Sequence, residues 1–564
     1  MAQNKINKLE LTWIGKDEQP MAVEPRLLLD TPEYSFGEVE TGTLPNGKPW
    51  PGNMLIHGDN LLALRALEQD FAGQVKCIYI DPPYNTGSAF EHYDDNLEHS
   101  QWLNLMRPRL IILKNLLSEN GTIWISIDDD EQAYLRILCD EVFGRSNYIE
   151  TIVWQRAYSP VNLKKTISRS HDYVLVYAKH LTKDYSLNKL PRSIEANERY
   201  KNPDNDPRGV WKSTDSTAQA GHGTKSQFYV LSAPNGKQHH LTPGRCWVYT
   251  EEVMNRMIAD NRIWFGPDGN NVPAIKRFLT EVRDGIVPQT LWPYTEVGHT
   301  QEAKKEIKAL EFDTIFDTPK PERLLLRILQ IATNPGDIVL DSFLGSGTTS
   351  AVAHKMGRRW IGVELGDHAY THCAVRLKKV IEGEQGGISK SQNWQGGGGF
   401  KFYELAPTLL NHDKYGNLVI NKDYNADMLA AAMAKHQGFT FSPDAEMYWK
   451  QGHSSEHDFI STTTQLITSE MLETIHDQLG EDESLLICCT KFQPDCRNKF
   501  PNITIKKIPK VLLDTCEFDR DDYSLNIVSV PNITEEEIDD MEFNGDSELE
   551  SEADQPEEPN LFNI

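Results

Sequence analysis

The sequence predicts an α/β protein built on a doubly wound, largely parallel sheet, and two observations carry the prediction. First, short apolar runs end abruptly at an acid: Cys77–Ile80 at Asp81, Thr122–Ile127 at Asp128, Ile338–Leu340 at Asp341 and Trp360–Val363 at Glu364. Such runs have the length and composition of strands buried on both faces. Second, helix-period segments separate them, so residues 53–81 and 338–364 each read as strand, turn, helix, strand, the βαβ unit. Open sheets of this class bind ligands outside the carboxyl ends of their strands. Asp81, Asp341 and Glu364 therefore stand where a ligand would lie.

At 564 residues the chain has room for about three domains. It has no apolar run of the roughly 18 residues that a membrane-spanning helix needs, and Met1–Lys5 lacks the apolar core of a signal peptide. Eight cysteines without a Cys-x-x-Cys spacing give neither a disulfide framework nor a zinc pattern, so a reduced, cytoplasmic enzyme is expected. The formal net charge of −26 is unevenly spread: residues 535–558 hold 13 Asp/Glu and no Lys/Arg, whereas residues 151–250 hold 15 Lys/Arg against 7 Asp/Glu. A local basic surface governs contact with DNA better than the total charge does.

Residues 1–50 are interrupted by Pro20, Pro25, Pro32, Pro45 and Pro49 and are expected to form an irregular extension. Asn53–Asn60 reads as a strand running into a polar turn, with Asp59 or Asn60 capping a helix over Leu61–Gln69. The following strand, Cys77–Ile80, ends in Asp81-Pro82-Pro83-Tyr84. Neither proline can donate to a β-ladder, so the chain must leave the sheet there. A planar exocyclic amine needs acceptors for its two hydrogens. The Asp81 carboxylate is one, and the Pro82 carbonyl, kept out of the ladder, is the other; the nitrogen lone pair is then free to attack. Tyr84 offers a flat face for the ring. Asp81, Pro82, Pro83 and Tyr84 are thus the catalytic candidates, the plainer alternative being a strand that ends in an Asp-Pro turn. The motif resembles that of the amino-methyltransferases that modify DNA with S-adenosylmethionine (SAM). The adenine-N6 enzymes typically carry Asp-Pro-Pro-Tyr and the cytosine-N4 enzymes Ser-Pro-Pro-Tyr, so the resemblance implies adenine. In that family an acid at the place of Asp59 lies beside the cofactor's adenine, and a simple helix cap is the other reading of Asp59.

Trp102–Leu117 is apolar at helical spacing, and Thr122–Ile127, Ile149–Trp154 and Tyr173–Ala178 read as strands. Asp128-Asp129-Asp130 is best read as a strand end before an acidic helix start over Asp130–Val142, since a lone acid cluster lacks metal-ligand spacing. From 181 to 317 turns, aromatics and basic residues interleave, among them Arg192, Arg199, Tyr200, Lys201, Arg208, Trp211 and Lys212. Phe228–Leu231 and Gln238–Leu241 flank Asn235-Gly236, a hairpin signal. A basic, aromatic, loop-rich insertion suits a base-reading element; an ordinary surface insertion is the alternative.

After Thr318-Pro319-Lys320-Pro321 and a helix over Leu324–Ala332 comes the run Ile338 to Thr349, which gives strand, glycine-rich turn and helix start. Gly345 and Gly347 allow a ligand close to the backbone. Asp341 can hold a cofactor's ammonium, and Glu364 at the next strand tip can accept from ribose hydroxyls. The phosphate fingerprint Gly-x-Gly-x-x-Gly is absent, because Ser350 stands at its third glycine. The order of catalytic motif, insertion and cofactor motif is similar to the circularly permuted β class of DNA amino-methyltransferases over residues 51–382. That resemblance implies a SAM-dependent methyltransferase fold of Rossmann-like, doubly wound type. It also implies a cofactor set of Asp59, Lys320, Asp341, Phe343, Gly345, Gly347, Thr348 and Glu364, and no metal. Asp341-Ser342-Phe343 departs from the family's commoner Asp-Pro-Phe at a position that supplies only turn geometry.

The expected layout is an N-terminal extension (1–50), catalytic lobe (51–180), target recognition region (181–317), SAM-binding lobe (318–383), Gly-rich linker (384–405), C-terminal α/β domain (406–533) and disordered acidic tail (534–564). With its C-terminal domain the chain resembles the modification subunit of type III restriction–modification systems. The resemblance implies double-stranded DNA as substrate, a homodimer, a helicase–nuclease partner subunit and a bacterial cytoplasm, with no membrane. Two functions stay open: a site-specific adenine-N6 methyltransferase, or a DNA-recognition subunit that mainly directs a helicase–nuclease. Methylation of RNA or of cytosine N4 is a further alternative.

Overall fold

The computed structural model describes residues 10–16, 22–84, 95–159, 166–192, 197–282, 285–310, 316, 318–513 and 515–523. Asn85–Gly87 and the acidic tail lie outside these. The centre is an eleven-stranded sheet. In chain order ten of its strands are β1 (Leu28–Asp30), β2 (Asn53–His57), β3 (Val75–Ile80), β4 (Leu117–Ile127), β5 (Tyr148–Gln155), β6 (His171–Ala178), β7 (Leu291–Trp292), β8 (Ile338–Asp341), β9 (Arg359–Glu364) and β10 (Gly399–Leu405). Their spatial order is β1-β10-β2-β9-β8-β3-β4-β6-β5-β7. From β10 to β4 every neighbouring pair is parallel; β6 then runs antiparallel to both β4 and β5.

The helices that matter for the site are α1 (Asn60–Phe71), α2 (Asp95–Leu116), α3 (Glu322–Ala332) and α4 (Thr348–Lys355). Helix α1 begins where it does because the Asp59 carboxylate accepts hydrogen bonds from Leu61 N (2.8 Å) and Leu62 N (3.2 Å), two donors that the first turn otherwise leaves unpaired. Side chains alternate across each strand. Ile78 and Ile80 pack with α1 and α2 on one face, while Cys77, Tyr79 and Val339 pack with α3 and α4 on the other. This double burial is why the strands are continuous apolar runs. Helix α4 leads from β8 outwards to β9, and α2 leads from β3 the opposite way to β4. The strand order therefore reverses between the adjacent β8 and β3, and Asp341 and Asp81 stand at that switch point.

Three expectations need correction. Residues 1–50 are not merely irregular: β1 pairs with β10, and so does the short strand Phe36–Gly37. The stretch 384–405 is not a free linker. Its last seven residues are β10, parallel to β2, with Phe400 and Phe402 fully buried and Ile388 and Ser389 inside as well. The glycines here mark close backbone approach rather than flexibility, since a Cβ on Gly399 would meet the backbone of Gly37 and Glu38 at 2.7 Å. Finally, the end of the 181–317 insertion belongs to the main core: β7 pairs with β5, and Trp292 and Val297 pack under the sheet.

The rest of that insertion has a small three-stranded sheet, Trp211–Asp215, Ala274–Phe278 and Ile263–Trp264, and its own core around Trp247, Met254 and Phe265. The Asn235-Gly236 hairpin forms between Leu231–Ser232 and Gln238–His239. Residues 440–507 carry a five-stranded sheet, with the helices Ala426–His436 and Ser469–Gln478 beside it. This part docks on α1, where Lys435 Nζ donates to Ala66 O (2.6 Å) and Gln69 Nε2 donates to Phe439 O (2.9 Å).

Candidate active site

The sheet's carboxyl edge opens into two cavities that share a wall. The first, about 410 Å³, is lined by Asp81-Pro82-Pro83-Tyr84, the strand ends at Asp128, Arg156 and Asp172, the Thr318-Pro319-Lys320 turn, and Asp341 with the glycine-rich loop. The second, about 540 Å³, lies toward β9 and is lined by Asn60, Arg109, Ser342, Glu364 and His368. Asp81, Pro83, Phe316, Phe343 and Gly345 border both. A ligand in the second cavity can therefore present a reactive group to a ligand in the first.

The Asp-Pro-Pro-Tyr turn is held from below by Trp102, whose indole Nε1 donates to Pro83 O at 2.8 Å. Asp81 Oδ2 pairs with the Lys320 ammonium. Asp81 Oδ1 is buried with no hydrogen-bond partner among the described residues, and the buried Tyr84 hydroxyl has no well-aligned one. Buried polar atoms left over in this way, at the wall of a cavity, are free to bond a polar ligand. The Tyr84 hydroxyl, desolvated and close to Asp81, titrates well above the usual tyrosine range, so it stays neutral.

On the cofactor side Asp341 accepts from Phe343 N (2.9 Å) and from Thr349 Oγ1 (2.6 Å). Burial pushes its carboxyl up to about 7; the two hydrogen bonds oppose the shift, and Asp81 and Glu364 add to it. Glu364 accepts from Gly345 N (2.6 Å) and Gly366 N (3.2 Å), and burial raises its pKa despite those donors. Gly345 needs its glycine: its φ is +58°, and a Cβ would stand 3.1 Å from the Phe316 ring. Gly347, at φ +80°, is the left-handed residue that starts α4. Thr348 lines the first cavity and accepts from Arg376 Nη1 at 2.8 Å.

The structure brings together Asp81, Pro82, Pro83, Tyr84, Lys320, Asp341, Phe343, Gly345, Thr348 and Glu364 along these walls. Gly347 lines neither cavity, and Asp59 does not reach them either. That carboxylate is fully used as a buried cap: beyond Leu61 and Leu62, its Oδ2 accepts from Arg109 (3.3 Å) and from the backbone N of Tyr523 (3.0 Å). Lys320 lines the first cavity, where its ammonium pairs with Asp81. Sequence reasoning missed Asp172, Arg156 and Phe316. Asp172 is only 2% exposed and pairs with Arg156 (Oδ1 to Nε, 2.9 Å). Burial raises its carboxyl to about 6, with Arg156 and Lys320 opposing the shift. Its signal was there to read, an acid at the head of the apolar strand Tyr173–Ala178. No cluster of three metal-ligating side chains occurs among the described residues, and Asp128, Asp129 and Asp130 instead surround Arg169.

The chain has relatives among known proteins. Residues 75–375 match the model of a family described as DNA methylase. The chain belongs to the DNA methylase family. Its relatives include a probable type III restriction–modification Mod subunit, HindVI, of Haemophilus influenzae, 35% identical over 63% of this chain and 54% of that protein. The StyLTI Mod subunit of Salmonella typhimurium is 35% identical over 65% of this chain and 58% of that one. The EcoP15I Mod subunit of Escherichia coli is 26% identical over 73% and 75%. The chain thus spans little more than half the length of the first two of these relatives.

Proposed function

We propose that this DNA methylase transfers a methyl group from SAM to the N6 amine of adenine within a short recognition sequence, as the modification subunit of a type III-like restriction–modification system. The observation that carries the reading is the Asp81–Tyr84 turn, with its unpaired buried carboxylate oxygen, lining one cavity together with Asp341 and the glycine-rich loop. The target amine is paired and stacked in duplex DNA, so the base must swing out, at a cost of a few kcal/mol. Asp81 and the Pro82 carbonyl then accept the two amine hydrogens, and Tyr84 stacks on the ring. Held so, the nitrogen lone pair is left free to attack, and Asp81 stands ready for the proton the nitrogen must lose.

Residues of both cavities suit SAM. Glu364 of the second is placed for ribose hydroxyls, Phe343 between the two for a flat ring, and Asp341 of the first for the amino-acid ammonium. Bound there, SAM supplies a methyl group activated by a sulfonium. The chain's contribution is positioning and the exclusion of water. The basic insertion, residues 181–290, is the reader of DNA sequence. By likeness to the Mod subunits we assign a homodimer, a helicase–nuclease partner and a cytoplasmic setting.

Expression in a methylation-free bacterial host, followed by modification-sensitive sequencing beside Asp81→Ala, tests the reading. N6-methyladenine in one short motif, absent with the variant, is the expected result. Methylcytosine overturns the base assignment. The absence of any mark from soluble protein overturns the catalytic reading in favour of a DNA-recognition subunit.

A further inference from the structure

Lys320 stands where the reaction needs something else. Its ammonium pairs with Asp81 Oδ2 and lies 5.1 Å from the centre of the Tyr84 ring. These are the acceptor and the face that the target amine and its ring require. The side chain is largely buried, 11% exposed, so it is held there rather than swept by solvent. We propose that Lys320 is a placeholder for the target amine: it keeps Asp81 an anionic acceptor while the pocket is empty, and it yields Oδ2 to the base when the base arrives. The proposal rests on the amino-methyltransferase reading above and assigns Lys320 to the base pocket instead of to the cofactor.

The charges facing Asp81 explain why a placeholder is needed. Asp128 comes from the end of β4, Asp172 from the head of β6 and Asp341 from the tip of β8. Glu364 and His368 face it across the second cavity. Tyr79 on its own strand and Tyr84 just beyond it stay neutral. Two arginines also line these walls, but each is committed: Arg156 to Asp172 and Arg109 to Asp59. Lys320 is thus the cation among the described residues that falls to Asp81. A carboxylate half-buried among other acids, with no cation beside it, takes up a proton. A protonated Asp81 presents a donor where the amine needs an acceptor. An ammonium also resembles an amine in size and hydrogen-bond sense, so its exchange for the base leaves the carboxylate's partners nearly unchanged in number.

The experiment compares wild type, Lys320→Met and Lys320→Arg in single-turnover methylation across pH, with SAM affinity measured by calorimetry on the same full-length preparations. For Lys320→Met the acid limb of the rate profile is expected to move up by about one pH unit or more. Activity lost at neutral pH then returns by about pH 9, and SAM affinity stays within about twofold of wild type. Lys320→Arg keeps the charge and is expected to hold the limb within about half a unit of wild type. A Lys320→Met loss that is the same at every pH, or SAM binding weakened by about tenfold or more, overturns the placeholder and returns Lys320 to the cofactor. Should Lys320→Met fail to fold, an acid limb in Lys320→Arg that is displaced as far as predicted for the methionine variant overturns it equally. Failure of the parent reading is separate, because wild type itself would then leave no N6-methyladenine.

Discussion

On the proposed assignment of Asp341 to the SAM ammonium, cofactor binding depends on pH in the direction set by the burial of that carboxyl. The Asp341 carboxyl is buried at the tip of β8 and pushed up to about 7. A cofactor ammonium prefers the ionised form, so affinity is full above that value and is lost as pH falls through it. From pH 7 to pH 6 the ionised fraction drops from about one half to about one tenth, a fivefold loss worth ~1 kcal/mol. The window must stay below the cofactor's own α-amine, which titrates near 7.7–8.0 or roughly there. Calorimetric titration of SAM at pH 6.0, 6.5 and 7.0 reads the slope directly. Asp341→Asn keeps one oxygen, which can accept from Phe343 N, and its amide nitrogen can donate to Thr349 Oγ1 in place of the acceptor lost there; it cannot ionise, so its affinity should be weaker and nearly flat over the same range. A wild-type affinity that does not change between pH 6 and 7, or an Asn variant with the wild-type slope, refutes the assignment. The same shift acts on stability with the opposite sign from a salt-bridged acid. Between the unfolded value near 3.8 and about 7 the folded state binds the extra proton, so this residue's contribution to stability declines as pH rises through that interval.

Asp81→Ala should abolish methylation yet leave SAM affinity within about twofold of wild type; a variant that retains full activity removes Asp81 from its role. Glu322 holds together Lys355, Arg376 and the backbone N of Ile388 (2.8, 2.8 and 2.9 Å), and Arg376 in turn donates to Thr348 of the glycine-rich loop. Glu322→Leu should cost about 3–5 kcal/mol, because it leaves two buried cations with too little opposing charge. Thermal unfolding measures the loss, and one below about 1 kcal/mol would show that Glu384, the second partner of Lys355, is enough. Removal of residues 534–564 should leave methylation in place; loss of activity from a folded truncated protein would show that the acidic tail takes part.

The sequence by itself determined the fold class and the identity of the chemical groups. A strand buried on both faces must be an apolar run, and a run ended by an acid, two prolines and a tyrosine has one exit from the sheet. Asp81, Asp341 and Glu364 were legible for that reason, as were Gly345 and Gly347, whose positive φ only glycine adopts freely. What the tertiary structure decided were the pairings between distant stretches. Asp59 reads equally as cap or ligand until α1, Arg109 and Tyr523 are seen to consume its carboxylate. Nothing local says which acid Lys320 meets until the α3 entry turn lays it on Asp81, 239 positions away. Asp172 and Arg156 become site residues only because β6 runs antiparallel beside β4, which brings its head to the same edge as Asp128. The glycines before β10 look like a linker in sequence and prove to be a tight crossing. Local propensity sees one segment at a time, whereas a charge buried at a sheet edge takes its partner from whichever segment the fold places there.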